Sequence, residues 1–270
     1  MTDSLITVAV AGAGGRMGST VCAAVAAAPD LELVGAVDPG WAGTSLDAAS
    51  GRQAAEPGAD TIEVVATIEE LDAHPDVLVD FTVVESARAN LGWCAANGVH
   101  AVVGTTGFDG DDLERLASLF TDSNCLIAPN FAIGAVLMMR FAEMAAPWFE
   151  SAEIIELHHD AKVDAPSGTA LATAGRMAEA SSEWTADPTT NEKLRGARGG
   201  EGPGGIHIHS VRLRGLVAHQ EVLLGTVGQS LTLRHDSYDR TSFMPGVLLG
   251  CRRIAEHPGL TVGLDAFLDI

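Results

Sequence analysis

The 270-residue chain has few basic residues: 16 Lys and Arg stand against 36 Asp and Glu, and the formal net charge is −20. Sequence-independent binding to nucleic acid or to an anionic membrane needs an excess of Lys and Arg. The composition argues against both functions, although a local cluster of cations can still hold a small anionic substrate. Lysine is the scarcer base, with Lys162 and Lys193 beside 14 arginines. A lysine kept against that bias indicates a position where arginine does not serve equally well.

Cysteine is also scarce, and its spacing is not typical of a metal or disulfide site. The four cysteines lie far apart without a Cys-x-x-Cys pair, which argues against structural zinc and disulfides and favours reduced thiols. No apolar run reaches the length of a membrane span. The beginning of the chain has neither a basic n-region nor a small-residue cleavage site. We therefore expect a cytoplasmic protein that binds neither membranes nor nucleic acid.

Apolar residues make up 47% of the chain, enough for the core of one large domain or two modest ones. Over the first 130 residues, short β-branched apolar runs alternate with helix-like segments. Strands that alternate with helices indicate a parallel sheet covered on both faces. The predicted strands are 5–11, 31–37, 77–81, 101–103 and 125–128, and the predicted helices are 17–28, 86–97 and 111–120.

The pattern changes near residue 130, which marks a domain boundary. We expect a first domain of residues 1–130, completed by about 239–270, and a second domain of residues 131–238. The second domain is predicted to contain a helix over 132–149, a strand over 154–158, a helix over 168–181, a polar mobile loop over 182–205 and an antiparallel sheet from 206 to 233.

A glycine-rich turn joins the first predicted strand to the first predicted helix. Gly12, Gly15 and Gly18 permit a tight turn and a close approach of the backbone to a pyrophosphate. The start of the helix points N–H groups and a positive dipole at the phosphates. Asp38 ends the next strand, about 20 residues further on, where its carboxylate can accept hydrogen bonds from an adenosine ribose. This context favours a dinucleotide site over a tight turn without a ligand.

The identity of the nicotinamide cofactor stays open. Asp38 favours NADH because a carboxylate repels a 2′-phosphate, and Pro39 stands where a basic residue would help to bind NADPH. Arg16, however, offers a compensating charge. The stretches 104–107 and 128–131 each follow a predicted strand, and ligands of open parallel sheets bind beyond the carboxyl ends of the strands. Both loops are therefore expected to line the nicotinamide side of the site.

Reactive side chains are densest at the end of the strand predicted over 154–158. The strand brings two histidines, His158 and His159, and a short loop carries Lys162. An imidazole titrates close to neutral pH, which suits a group that donates a proton after hydride transfer. A metal site is the competing interpretation, but neighbouring residues on a strand point to opposite faces and chelate poorly. His207 and His209 would share a face, without further ligands evident near them.

An anion site is predicted immediately after this loop. Ser167 is a natural N-cap for the next helix, and it leaves the N–H groups of Gly168 and Thr169 available to an anion. Lys162 adds a compact positive charge. Together these groups could hold a carboxylate beside the imidazole of His158.

The motifs closely resemble the signature of the dihydrodipicolinate reductase family, also called 4-hydroxy-tetrahydrodipicolinate reductases. The His-His-x-x-Lys block that begins at His158, with the Ser-Gly-Thr that follows, is its most specific part. The other matching blocks occur in the family's order at 12–18, 80–82, 104–107, 128–131, 206–212 and 240–246.

The resemblance implies an α/β fold: an N-terminal Rossmann-type parallel sheet domain plus a mixed α/β domain that binds substrate and builds a homotetramer. It also implies an enzyme that transfers hydride from NADH or NADPH to 4-hydroxy-tetrahydrodipicolinate. The reaction on this cyclic dicarboxylate proceeds with loss of water and belongs to the route to diaminopimelate and lysine. Two alternatives remain: another two-domain Rossmann dehydrogenase acting on an amino-acid-like substrate, and a catalytically silent NAD(P)H-binding sensor.

The resemblance assigns roles to individual residues. His158 corresponds to the acid/base residue and Lys162 to the proton donor. The residues implied to contact the substrate carboxylates are His159, Gly168 and Thr169. The residues implied to bind the cofactor are Gly12, Ala13, Gly14, Gly15, Arg16, Met17, Asp38, Phe81, Gly104, Thr105, Thr106, Ala128, Pro129, Asn130 and Phe131.

Overall fold

The computed structural model describes residues 5–48, 50–58 and 61–270. The chain divides into two compact units. Unit 1 extends to Phe131 and takes up the chain again over Phe243–Ile270, and unit 2 is Ala132–Ser242. The sequence places the corresponding borders after residues 130 and 238, and the roles of the two units stay predictions at this point.

The strands, in chain order, are β1 (Ile6–Ala11), β2 (Leu31–Val37), β3 (Ser45–Asp47), β4 (Arg52–Gln53), β5 (Thr61–Val65), β6 (Val77–Asp80), β7 (His100–Val103), β8 (Cys125–Ile127), β9 (Ser151–His158), β10 (Gly200–Glu201), β11 (His207–Arg212), β12 (Ala218–Thr226), β13 (Gln229–Ser237) and β14 (Leu260–Val262). The α-helices are α1 (Arg16–Ala27), α2 (Val84–Asn97), α3 (Gly110–Leu119), α4 (Ile133–Ala145), α5 (Gly168–Ala180) and α6 (Met244–Arg253). No helix within this described part of the chain is long and apolar enough to cross a bilayer.

Unit 1 is built on a sheet with the strand order β14-β8-β7-β6-β1-β2-β5-β3-β4. The seven strands from β14 to β5 are parallel, and β3 and β4 add an antiparallel edge. Val8, Ala9 and Val10 of the central β1 are fully buried, as expected for a parallel strand covered on both faces. The predicted Rossmann-type parallel sheet is confirmed, and its geometry gathers the carboxyl ends of β1, β2, β6, β7 and β8 at one edge.

Unit 2 contains a mixed sheet with the order β10-β11-β9-β12-β13. The predicted antiparallel arrangement holds for β12 and β13 but is wrong for β11, which pairs in parallel with β9. The reason is the crossover through α5, which returns the chain to the sheet in the direction of β9. Strand β9 then separates β11 from β12, so the turn between these two does not form a hairpin.

Helices α4 and α5 cover one face of this mixed sheet. Ile154, Ile208, Val222 and Leu224 pack there against a helix cluster that includes Met177. The helix predicted over 132–149 ends earlier than expected, at Ala145, and continues as a 3-10 turn over Ala146–Trp148. The proline inside that turn has no N–H to extend the helical hydrogen-bond pattern. The stretch 182–205 contains only β10 and a short 3-10 turn, and its mobility stays a prediction.

Candidate active site

The glycine turn between β1 and α1 is so tight that a side chain does not fit at Gly12 or at Gly18. Gly12 has a φ of 79°, and a Cβ there would lie 2.7 Å from the carbonyl oxygen of Phe81. A Cβ on Gly18 would lie 2.0 Å from the carbonyl oxygen of Gly12. The N-cap of α1, Gly15, contributes no side-chain cap. The first turn of α1 therefore presents backbone N–H groups at the edge where the parallel strands end.

The carboxylate of Asp38 is held beside this turn. Its Oδ2 accepts a hydrogen bond from the backbone N–H of Gly14 at 3.0 Å, and its Oδ1 accepts one from Gly40 at 2.9 Å. The indole of Trp41 packs directly on Gly14, where a Cβ would come within 2.7 Å of the ring. Asp38 is thus fixed at the end of β2, and an aromatic ring closes the space next to it.

A cavity of about 610 Å³ opens next to Asp38 in unit 1. Its walls come from the ends of β1, β2, β5 and β6 and from the first turns of α2. The polar lining residues are Asp38, Thr67, Glu69, Thr82, Ser86 and Asn90. The position beyond the carboxyl ends of parallel strands is where a dinucleotide is bound in this class of fold.

A buried carboxylate is hydrogen-bonded to two of the loops that are predicted to bind the cofactor. Asp80 ends β6 with no exposed surface, and it accepts hydrogen bonds from the backbone N–H of Thr82 at 3.0 Å, from Thr105 Oγ1 at 2.8 Å and from Asn90 Nδ2 at 2.8 Å. The ring of Phe81 lies on Gly104, where a Cβ would be 2.0 Å from it. These contacts fix the loops after β6 and β7 side by side.

The other predicted cofactor residues lie along the same edge of the sheet. The ring centroids of Phe81 and Phe131 are 5.9 Å apart. The buried members are Ala13, Ala128 and Phe131. The partly or fully exposed members are Gly14, Gly15, Arg16, Met17, Thr106, Pro129 and Asn130.

In unit 2, β9 ends at His158, whose Nδ1 lies 2.6 Å from Oε2 of Glu156. Glu156 is fully buried, and both Nη atoms of Arg212 donate to its carboxylate at 2.8 Å. Burial alone would raise the pKa of Glu156, but the hydrogen bonds from Arg212 and the neighbouring groups lower it to about 2. Burial lowers the pKa of His158 below its ordinary value, although Glu156 acts in the opposite direction.

Lys162 lies close to this imidazole. Its Nζ donates to both carboxylate oxygens of Asp164 at 2.8 Å, and its side chain is 20% exposed. Its charge contributes to the lowered pKa of His158, so the two side chains are within electrostatic range of each other. His159 lies just beyond β9 with its side chain exposed to solvent. The loop therefore presents two imidazoles and an ammonium group within a few residues.

The start of α5 adds an anion-binding element to unit 2. Ser167 is the N-cap, as the sequence predicts, and its Oγ accepts a hydrogen bond from the N–H of Ala170 at 3.2 Å. Gly168 begins the helix and is exposed, and Thr169 follows in the first turn. The positive end of this helix and the ammonium of Lys162 suit a ligand with carboxylates. Among residues 5–48, 50–58 and 61–270, no group of three His, Cys, Asp or Glu side chains could hold a metal ion.

Comparison with known proteins places the chain in a family. Residues 6–131 match the sequence pattern described as dihydrodipicolinate reductase, N-terminus, and residues 134–268 match the one described as dihydrodipicolinate reductase, C-terminus. The chain belongs to the dihydrodipicolinate reductase family. The predicted resemblance, the reductase class and the nicotinamide cofactor, NADH or NADPH, are confirmed.

Individual relatives are similar to this chain over nearly its whole length. A curated 4-hydroxy-tetrahydrodipicolinate reductase from Nocardia farcinica is 51% identical over 98% of this chain and 99% of that protein. A dipicolinate-bound dihydrodipicolinate reductase from Paenisporosarcina sp. TG-14 has a solved structure that is 42% identical, with a TM-score of 0.85 over 97% of this chain and 99% of that one. An amine dehydrogenase from Mycobacterium smegmatis, 13% identical with a TM-score of 0.55 over 95% of this chain and 94% of that one, shares the fold alone. Family membership decides against the other dehydrogenases and against the silent sensor.

Several residues of these two sites have no role predicted from the sequence. Glu156, Asp164 and Arg212 surround His158 and Lys162 but stand outside the recognised motif roles. The contact of Glu156 with His158 could have been predicted, because Glu156 lies two positions before His158 and therefore on the same face of β9. Nothing in the sequence indicates Trp41 or Glu69, since neither a spacing nor a motif connects them to the glycine turn.

Proposed function

We propose that this chain reduces 4-hydroxy-tetrahydrodipicolinate with NADH or NADPH, in the diaminopimelate route to lysine. The reaction consumes one hydride and one proton, releases one water and gives tetrahydrodipicolinate. The observation that carries the proposal is the 51% identity to the Nocardia farcinica reductase over 98% of this chain. The arrangement of His158, Lys162 and the start of α5 in unit 2 supports it.

Unit 1 fits an adenine dinucleotide. The turn leaves no room for a Cβ on Gly12 or Gly18 and would let the pyrophosphate approach the backbone, and Asp38 would accept hydrogen bonds from the adenosine ribose. The cavity beside Asp38 would hold the adenosine. When bound, the nicotinamide supplies the hydride. Phe81, held on Gly104, and Phe131 give that end of the site apolar walls that exclude water.

In unit 2, the substrate's carboxylates are held by Lys162, His159 and the first turn of α5, at Gly168 and Thr169. The family resemblance gives Lys162 as the proton donor, whereas we propose that His158 supplies the proton, because an imidazole titrates close to neutral pH. The lowered pKa of His158 keeps the imidazole mostly neutral at pH 7 in the free enzyme. A bound dicarboxylate places negative charge nearby and raises that pKa, so the imidazolium forms when substrate is present to receive its proton. Lys162 holds a carboxylate and stabilises the charge that develops during the reaction.

The proposed reaction is tested by mixing the purified chain with substrate, generated in place from pyruvate and aspartate semialdehyde, and following the loss of NADH absorbance. We expect turnover that pyridine-2,6-dicarboxylate inhibits competitively, because this flat dicarboxylate resembles the substrate. NADH oxidation that does not depend on the condensed substrate would contradict the proposal. A chain that binds NADH but gives no turnover would point to another reaction.

Both cofactors are expected to support turnover, with NADH not poorer than NADPH by more than about tenfold, roughly 1.4 kcal/mol. Asp38 disfavours a 2′-phosphate, and Trp41 fills the space over Gly14 beside it. Arg16, exposed in the first turn of α1, offers the compensating charge. Steady-state kinetics with each cofactor measures the ratio. Arg16→Ala should lower kcat/KM for NADPH more than for NADH, and strict NADPH dependence of the unaltered enzyme would contradict the expectation.

The mixed sheet of unit 2 is proposed to assemble the enzyme as a homotetramer. Side chains alternate along a strand, so Ile155, Leu157, Val211 and Leu223 lie on the face opposite that covered by α4 and α5. All four are partly exposed. The same face also carries the charged side chains of Glu153, Glu221 and Arg234, so we expect a second copy to cover it through apolar contacts and ion pairs together, in a closed assembly with two-fold axes.

Light scattering is expected to give a mass four times that of one chain. Leu223→Asp puts a charge in the middle of the proposed interface and should shift the mass to a smaller assembly, whereas Val227→Asp, in an exposed turn, should not. A monomer at micromolar concentration would contradict this interface.

We also propose a cytoplasmic location, in keeping with four cysteines that are buried and unpaired.

A further inference from the structure

The carboxylate of Glu156 is the most completely buried charge near the proposed substrate site. It has no exposed surface, and removing a carboxylate from water is costly unless it is paired and hydrogen-bonded. Arg212 satisfies it with two hydrogen bonds of 2.8 Å, and the backbone N–H of Ser167 donates a third at 3.2 Å. The side chain of Ser210 is also hydrogen-bonded to this carboxylate, and Oε2 lies 2.6 Å from His158 Nδ1.

These contacts connect the ends of three elements, of which β11 is distant in sequence from the other two. His158 ends β9, Ser167 caps α5 and Arg212 ends β11. Arg212 also donates to the carbonyl oxygen of Asp164 at 2.7 Å, which fixes the loop that carries Lys162. One carboxylate therefore sets the imidazole, the start of the anion-binding helix and the lysine loop relative to one another.

The hydrogen bond also selects a tautomer. An ionised carboxylate only accepts hydrogen bonds, so Nδ1 of His158 must carry the proton and Nε2 is the atom that exchanges a proton with substrate. We infer that Glu156 is a positioning residue of the reductase, which orients His158 through Nδ1 and keeps Nε2 as the reacting nitrogen. This inference rests on the proposed function, in which His158 supplies the proton. Glu156 itself does not touch the substrate.

The same strand offers a matched comparison. Glu153 accepts hydrogen bonds from Arg198 and from His209, so it has the same kinds of partner as Glu156. It differs in position, because it lies on the opposite face of β9 and its side chain is 30% exposed. A glutamate that served only to stabilise the sheet should behave alike at both positions.

Glu156→Gln and Glu153→Gln should therefore be compared in the full-length enzyme. Glu156→Gln is expected to lower kcat by about 10- to 100-fold, the scale on which loss of a carboxylate that orients a functional imidazole reduces activity. The Kd for NADH should not change. Glu153→Gln should leave kcat as it is; because Glu153 pairs with Leu223 on the proposed interface face, the light-scattering mass of this variant is measured as a check that the assembly is kept. Equal losses in both variants would overturn the inference.

The pH profile separates positioning from mere stabilisation. His158 must be protonated to act as an acid, so kcat falls as the pH rises through its pKa. Glu156 raises that pKa, while burial, Lys162 and Arg212 lower it. Glu156→Gln should therefore move the descending limb of the profile to lower pH, and Glu156→Asp, which keeps the charge, should move it less. A limb that stays in place while kcat falls would show that Glu156 acts only on the fold.

A measurement without turnover covers the case in which Glu156→Gln does not fold. Nitrogen NMR of the unaltered enzyme with labelled histidine reports which ring nitrogen carries the proton, and His158→Ala assigns the signal. We expect a protonated Nδ1 and an unprotonated Nε2 in the neutral ring. The opposite tautomer would overturn the inference whatever the kinetics show. If His158→Ala instead keeps full activity, the proposed role of His158 fails and the tautomer remains a separate observation.

Discussion

His158→Ala is expected to lower kcat by roughly 10²–10³, the range for loss of a general acid. The Kd for NADH should stay within about twofold, because the pyrophosphate and ribose contacts assigned above lie in unit 1, on the glycine turn and Asp38. Steady-state kinetics and direct NADH titration of the same preparation measure the two quantities. The loss should be in kcat, since the imidazole supplies a proton only while the reaction proceeds. A variant that keeps near-normal kcat would place the proton donor elsewhere.

Lys162→Ala should give a loss of similar size and should also raise KM, because the ammonium holds a carboxylate in the ground state as well as in the transition state. Lys162→Arg should recover only part of the activity, since guanidinium is broader than the compact ammonium that holds the carboxylate. The chain supplies its own control: Lys193, the other lysine, is exposed in the stretch 182–205. Lys193→Ala should leave both kcat and KM unchanged, and a similar fall in both lysine variants would indicate a general charge effect.

The parallel sheet could be predicted from the sequence because its strands are continuous apolar runs. The run predicted over 31–37 corresponds to β2, and the helix predicted over 168–181 corresponds to α5 with one residue fewer. The short strands β3, β4, β10 and β14 were not predicted, and neither was the five-residue β5 of the parallel sheet. A strand of two or three residues is too short to show a periodicity. The parallel pairing of β11 was missed for another reason, since strand direction depends on the crossover and not on the residues of the strand.

In the candidate site, too, some residues could be predicted from the sequence and others could not. His158, Lys162 and Ser167 stand within ten residues and could be recognised as one motif. Arg212 lies in the matching block 206–212, but its contact with Glu156 could not be predicted, because the two residues are 56 apart in sequence. Trp41 contacts Gly14 only because β2 pairs in parallel with β1, which places the residues after the two strands side by side. Contacts of this kind depend on sheet order and register, which local patterns in a single sequence do not determine.

Gly18→Ala is expected to damage unit 1 even though alanine favours helices. A Cβ at this position would lie 2.0 Å from the carbonyl oxygen of Gly12, 2.6 Å from its carbonyl carbon and 2.9 Å from Cα of Ala13. These are backbone atoms of the glycine turn, so the turn or α1 must shift to make room. We expect the free energy of unfolding to fall by about 1–3 kcal/mol, the usual cost of overpacking. The Kd for NADH should rise at least about tenfold, or 1.4 kcal/mol, because the displaced turn no longer fits the pyrophosphate.

Gly92→Ala is the matched control, since Gly92 lies inside α2 and a Cβ there meets nothing within 4 Å. The same substitution should raise the free energy of unfolding by about 0.4–1 kcal/mol, because alanine restricts the unfolded chain more than glycine does. Its Kd for NADH should not change. Denaturant unfolding and NADH titration of both variants measure the contrast. If the two glycines respond with the same sign, helix propensity rather than the closed turn decides the outcome, and the glycine turn is not the tight phosphate-binding element described above.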